Sequence, residues 1–214
     1  MSKSKLILVG GGGHCKSVID VAERAGYEIY GVIDEYKQLG ETILGYPVLG
    51  GDDAIEKYVG EASFLITVGF ITNPQVRMHL YNKIISLGGV MATVISPYAY
   101  VSPYASIGQG TVVMHNACIG VGCVVGDNVI INTFSNIEHE SNVGNHCHIS
   151  TGAMINGSCV IGERVFVGSQ STIANQVAIS SDVIVGAGSL VRKSIDTKGV
   201  YAGNPLKFIR ANEK

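Results

Sequence analysis

The sequence predicts a small α/β unit followed by a parallel β-helix, and three of its features point that way. The first is a period of six: Ile95, Val101, Ile107, Val113 and every sixth residue after them up to Val191 are Ile or Val, without a gap. The second is that the residue four places further on is small or short and branched, as in Ala105, Thr111, Ala117, Cys123, Val129 and Ser135. An amphipathic helix repeats every ~3.6 residues and a half-buried strand every two, so a period of six belongs to neither. It belongs to short strands that turn corners and stack coil on coil, with the branched residue inside. The third feature stands ahead of the repeat, where an apolar run, a glycine run and a helical pattern follow one another.

That opening comprises residues 5–9 (KLILV), the glycines 10–13, and a helix over 14–25 that buries Val18, Ile19, Val21 and Ala22. Strand, glycine turn and helix begin a nucleotide-binding βαβ unit, in which amides at the helix N-terminus face a phosphate. The GxGxxG pattern is incomplete, with Lys16 at the third glycine position. Residues 27–33 form the second strand, and Asp34 and Glu35 stand at its end, where an acid meets a ribose or base in such folds. A turn and a short extended segment follow at 45–50, then a short helix over 52–58 with Asp52 as its cap. Residues 64–68 are a third strand ending at Gly69. Asn73 caps a helix with Pro74 in its first turn, and Gly88-Gly89 stops it. Residues 90–95 form a last strand that delivers the chain into the repeat. Residues 1–95 thus read as a Rossmann-like α/β domain, 96–192 as the β-helix, and 193–214 as a C-terminal tail, helical or extended over 206–210, that caps the open end.

Within the repeat, Gly108, Gly120, Gly126, Gly144, Gly162, Gly168 and Gly186 each follow an Ile or Val, and read as supplying backbone freedom at the corners. The 214 residues carry 15 basic and 17 acidic side chains, a balance that leaves no electrostatic footprint for nucleic acid or an anionic membrane surface. Much of the 46% hydrophobic content is isolated Ile and Val, and no run approaches the ~18 apolar residues of a membrane span. No signal-peptide pattern opens the sequence. The five cysteines lack CxxC spacing, and Cys123, Cys147 and Cys159 occupy the small slot of the repeat, where a thiol packs as a small hydrophobe. A reduced, cytoplasmic protein is the expectation.

Most outward slots of the repeat hold Gly, Ser, Asn or other small residues, so Ile137-Glu138-His139-Glu140 stands out. A carboxylate beside an imidazole holds one ring nitrogen and raises the basicity of the other, which suits a general base near neutral pH. His148 lies half a coil further on if three hexapeptides make one coil. His139 and His148 then point in different directions within one chain and meet only across a subunit boundary. His115 and His146 read as structural or surface residues.

The repeat resembles the left-handed β-helix of the hexapeptide-repeat acyltransferases, which are trimeric and use acetyl-CoA. With the GGGGH turn, the Asp34-Glu35 strand end, the NIEHE segment and the C-terminal AGNPLK, the whole chain resembles the sugar O/N-acyltransferases of the bacillosamine and sialic acid pathways. The resemblance implies a homotrimer and direct acyl transfer, with His139 as general base and Glu140 as the carboxylate that orients it. It implies a coenzyme A site with His148 at the thioester, Gly157, Ser169, Ala187 and Gly188 along the pantetheine arm and adenosine end, and Lys207 on the tail. It also implies a nucleotide-sugar site at Gly13, His14, Asp34, Glu35 and Gly69. Leu206 departs from the family's alanine after the proline. The reaction expected is N-acetylation of a nucleotide-linked 4-amino-4,6-dideoxy sugar for surface-glycan assembly, ahead of O-acetylation of sialic acid, and no metal is expected. Two other classes stay open on the residues alone: a trimeric metal-dependent hydratase of the carbonic anhydrase type using His139, His146 and His148, and a non-enzymatic structural or sugar-sensing trimer.

Overall fold

The computed structural model describes residues 5–212. A six-stranded sheet comes first, built from β1 (Lys5–Val9), β2 (Glu28–Ile33), β3 (Thr42–Ile43), β4 (Tyr46–Gly50), β5 (Ser63–Ile66) and β6 (Val90–Met91). Between them lie α1 (Gly13–Arg24), a 3-10 helix at Asp52–Tyr58 and α2 (Gln75–Ser86). The strand order is β3-β4-β2-β1-β5-β6, parallel except at the β3-β4 hairpin. Leu6, Ile7, Leu8 and Val9 are completely buried, as a central parallel strand covered on both faces requires. The chain winds to one side of β1 and then returns to its other side at β5. The crevice beyond the ends of these two strands is therefore the switch point at which open α/β sheets hold ligands.

Pro74, not Asn73, is the N-cap of α2, with Asn73 Oδ1 accepting from the Gln75 amide at 2.9 Å, and three further local expectations need correction. Asp52 is not a cap: Gly51 is the N-cap of its 3-10 helix, and the Asp52 amide instead donates to Glu35 Oε2 at 3.0 Å. Residues 90–95 are not one strand, because Val90–Met91 completes the α/β sheet while Val94–Ile95 opens the β-helix. The third concerns the corners of the β-helix. Left-handed φ recurs three residues after each Ile or Val from Gly110 to Gly188, and most residues there are not glycine; Asn116, Phe134, Glu140, His146 and Arg164 have φ of 57–59°. The corner amide donates to the coil below, as Glu140 N does to Val121 O at 2.9 Å, which offsets the ~1–2 kcal/mol cost of that conformation. The glycines directly after Ile or Val mark close approach instead. A Cβ on Gly144 would lie 2.8 Å from the carbonyl carbon of Gly162, and one on Gly168 would lie 2.4 Å from the Ala187 nitrogen.

From Val94 the chain winds as a left-handed parallel β-helix, Val112 pairing with Ile130 and Ile130 with His148 at a spacing of one coil. The two-residue strands stack into three faces. From Val113 to Val191 the repeated Ile and Val are at most 2% exposed, each side chain contributing ~1.5–3 kcal/mol by burial. Cys123, Cys147 and Cys159 share that core.

The faces differ in what lies on them. Outward-pointing Val94, Val112, Ile130, His148, Phe166 and Ile184 are all buried. The first three pack in one cluster with Val18, Ile19 and other α1 residues, and Phe166 and Ile184 pack with Phe70. The corresponding Ser106, Val124, Asn142, Val160 and Ala178 on another face are exposed. Polar contacts also fasten the sheet to the β-helix, among them His115 Nε2 with Asp20 Oδ2 at 2.9 Å and the Tyr81 hydroxyl donating to Asp127 at 3.0 Å. The tail is extended: Val200–Ala202 adds to the covered face and Lys207–Arg210 pairs with it antiparallel.

Candidate active site

Three groups of residues emerge from this framework. The first is a corner of the β-helix. Ile137 is inside the core, so the following turn aims His139 outward, and the left-handed φ of Glu140 brings its carboxylate back to the ring. His139 Nδ1 lies 3.4 Å from Glu140 Oε2, a long hydrogen bond, and Ser158 Oγ donates to the same oxygen at 3.3 Å. Gly157, one coil on, lies beneath the imidazole, since a Cβ there would sit 2.4 Å from His139 Nε2. The His139 side chain is 53% exposed.

The second group lies on the covered face. His148, Ser169 and Ala187 line a cavity of about 470 Å³ together with Ile71, Thr72, Phe166 and Ile184. His148 Nδ1 donates to Phe70 O at 2.8 Å, which leaves Nε2 as the acceptor for Asn132 Nδ2 at 3.2 Å. Burial pushes the His148 pKa down to about 4, so the ring is neutral at physiological pH. His14, at the start of α1, comes to this side: its ring is 6.4 Å from that of His148. Burial, then the Arg77 charge, hold its pKa at about 3, and its Nε2 has no partner among the described residues. Gly188 is the left-handed corner beside Ala187. Lys207 is exposed on the tail strand, between Leu206 and Phe208 of a separate cavity of about 700 Å³ that also includes Arg192 and Lys193.

The third group lies at the switch point of the sheet. Asp34 and Glu35 line a cavity of about 380 Å³ with Gly10, Tyr36, Asp52, Val68, Val76 and His79. Asp34 accepts from the Gly11 amide and, at 2.9 Å, from that of Tyr36, so it shapes the glycine loop. Gly10 has φ of 106° and packs against Val68. Gly12 and Gly13 need no such explanation within the chain: a Cβ on either would meet nothing within 4 Å, and α1 begins without a side-chain cap. Gly69 follows Val68 at the cavity edge.

The chain therefore brings together His139, Glu140 and Gly157, and separately His14, His148, Ser169 and Ala187. Neither set touches the other within one chain. His146 belongs to neither; it bonds Asn128 and meets the edge of Tyr81. Among the described residues, no three His, Cys, Asp or Glu side chains converge as metal ligands. Burial also raises the cysteines, Cys147 to about 12, which removes them as ready nucleophiles. Sequence reasoning missed Phe70, Arg77, Asn132 and Tyr36. Arg77 had a usable signal, since it falls on the helical stripe of Leu80, Tyr81 and Ile84, all buried.

The family model of the PglD N-terminal domain matches residues 5–84. The acetyltransferase domain of PglB from Neisseria gonorrhoeae, solved alone and with acetyl coenzyme A, is 33% identical with a TM-score of 0.90, over 97% of this chain and 100% of that one. A mutant of perosamine N-acetyltransferase from Caulobacter crescentus, solved with CoA and GDP-perosamine, is 28% identical with a TM-score of 0.91, over 97% of this chain and 98% of that one. An uncharacterized protein of Acanthamoeba polyphaga mimivirus is 33% identical over 124 residues, and the match spans 58% of this chain but only 24% of that curated relative.

Proposed function

This chain belongs to the acetyl-CoA-dependent sugar N-acetyltransferases, and we propose that its acceptor is the amine of a nucleotide-linked 4-amino-4,6-dideoxy sugar, with His139 as the base. The reading rests on one corner of the β-helix: an imidazole with Nδ1 toward a carboxylate and Nε2 over a glycine, held on a rigid wall. As the amine nitrogen bonds to the thioester carbon, His139 Nε2 takes the amine proton. Glu140 stabilises the imidazolium so formed. The carbon–sulfur bond then breaks, and the proton on His139 passes to the departing thiolate.

The other two groups supply the binding. The cavity of His148, Ser169 and Ala187 takes the thioester end and pantetheine arm, and Lys207 and Gly188 serve the distal part of coenzyme A. The cavity of Asp34 and Glu35 takes the nucleoside. Its phosphates lie over the uncapped start of α1, where Gly12 and Gly13 leave the backbone amides open. A free sialic acid gives that cavity no role. His139 and the acceptor cavity come together between neighbouring copies in a homotrimer, and the exposure of His139 and of the Val124–Val160 face supports such a covering.

Thiol release from acetyl-CoA, measured against GDP-, UDP- and dTDP-linked 4-amino sugars and sialic acid, tests the proposal. Wild type should turn over an amino-sugar nucleotide, and His139→Ala should lose roughly 10²- to 10⁴-fold in kcat with little change in KM. Turnover with sialic acid alone, or undiminished His139→Ala, would overturn it. A protein that sediments as an active monomer would remove the shared site.

A further inference from the structure

Arg77 is among the largest fully buried side chains of the protein, at 1% exposure, yet no carboxylate pairs with it among the described residues. Its partners are main-chain carbonyls. Nη1 donates to Ile66 O at 2.6 Å and to Val68 O at 3.1 Å, and Nε donates to Asn128 O at 3.2 Å. Nη2 has no partner among the described residues, nor has the nearby Asn128 Oδ1. A buried cation compensated only by carbonyl dipoles is a costly way to stabilise a fold. Its position suggests what it does instead.

Two of the carbonyls it holds belong to the end of β5 and the segment beyond it. Val68 lines the cavity at the switch point of the sheet. Two residues on, Phe70 O accepts from His148 Nδ1. Ile71 and Thr72 then line the cavity on the β-helix face. Segment 68–72 is thus one wall of both cavities, and Arg77 ties its start to the β-helix at Asn128.

We propose that Arg77 is a positioning residue for acetyl transfer, fixing the segment between the acceptor and donor cavities and, through Phe70 O, holding the His148 ring in its Nδ1–H tautomer and in register with His14. This rests on the acetyl-transfer reading above. The planar guanidinium reaches three carbonyls in a fixed fork, which an ammonium on a flexible stem does not reproduce. Its charge also bears on these two rings, and on that of His146, which burial and then the Arg77 charge hold below the ordinary value. His14 faces Arg77 from α1 and His148 faces it from the β-helix, and after burial the Arg77 charge is a further cause of the lowered pKa of both. Burial brings Arg77 itself only to about 9, so it stays charged at neutral pH.

Two substitutions separate geometry from charge. Arg77→Lys keeps the charge and loses the fork, and Arg77→Met loses both. The readouts are kcat and KM for each substrate, the pH profile, and the imidazole proton resonances of the six histidines. In wild type, His14 and His148 should not titrate above about pH 5. Arg77→Lys should keep both rings neutral while kcat falls on the order of 10- to 100-fold from misplacement of the wall. Arg77→Met should show at least that loss, with both rings titrating closer to the ordinary histidine range and the acid limb of the profile moved to higher pH. Wild-type kinetics in Arg77→Lys would overturn the proposal, as would loss in Arg77→Met with unchanged ring titration. If Arg77→Met does not fold, the wild-type ring titration and the Arg77→Lys kinetics decide alone. A wild type that transfers no acetyl group would sink the functional reading, and the ring titrations would still test the hold of Arg77 on His148.

Discussion

Glu140 combines two requirements in one residue. Its left-handed φ closes a corner of the β-helix, and its side chain lies along the ring it is proposed to orient. In a single chain the pair is open to solvent, where such a contact is worth only ~0–1 kcal/mol. Covering by a neighbouring copy would strengthen it. Glu140→Gln keeps the shape and removes the charge, so kcat should fall roughly 5- to 30-fold, equivalent to about 1–2 kcal/mol of transition-state stabilisation. Initial rates at saturating acetyl-CoA measure this, and an unchanged kcat would end the orienting role. His139 and Glu140 were legible in the sequence because they interrupt a monotonous repeat. Phe70 and Asn132 were not, because each makes its contact with His148 from another segment of the chain, whereas Arg77 left its mark only as a charge on the buried stripe of α2.

The same contrast holds for whole elements. A six-residue period fixes which side chains face inward, and so Ile119, Ile137 and Ile155 are completely buried as expected. It says nothing about φ, because the corner conformation is set by main-chain hydrogen bonds between coils. The glycines after Ile or Val consequently provide clearance between coils, while the conformational freedom expected of them is needed three residues past the Ile or Val. Two alanine substitutions test the distinction. Gly144→Ala places its Cβ against the backbone of the next coil and should destabilise by about 1–3 kcal/mol. For Gly157→Ala the three atoms nearest the new Cβ all belong to the movable His139 ring, so stability should hold while activity drops at least tenfold. Denaturant midpoints and specific activities separate the two, and equal destabilisation of both would contradict this account.

At the scale of the molecule, the sheet and the β-helix share a buried boundary containing two neutral histidines. Their pKa values are lowered to about 3 for His14 and about 4 for His148, against 6.5 for an unhindered ring. Between pH 6.5 and those values the unfolded chain binds protons that the folded chain does not. Stability should therefore fall as pH drops through this window, by up to ~1.4 kcal/mol per pH unit for each ring, and level off once the folded rings protonate. Urea midpoints at pH 7.5 and pH 5 measure the effect, and identical midpoints would refute it. The two-part architecture was legible from the glycine turn and the repeat. The choice of covered face was written there as well, in the outward Val94, Val112, Ile130, Phe166 and Ile184, but at a period of three hexapeptides rather than one.

The even spacing of the coils has a kinetic consequence. Each new strand pairs with the one a single turn before it, as Val112 does with Val94 and Ile130 with Val112. Every coil therefore closes a loop of the same length, and the entropic penalty of each closure is constant rather than growing along the chain. Assembly can proceed as a zipper from the edge offered by Val94–Ile95, which lies against α1 of a sheet that precedes it in synthesis. The α/β unit, which precedes the coils in the chain, thus offers an edge on which they can be wound.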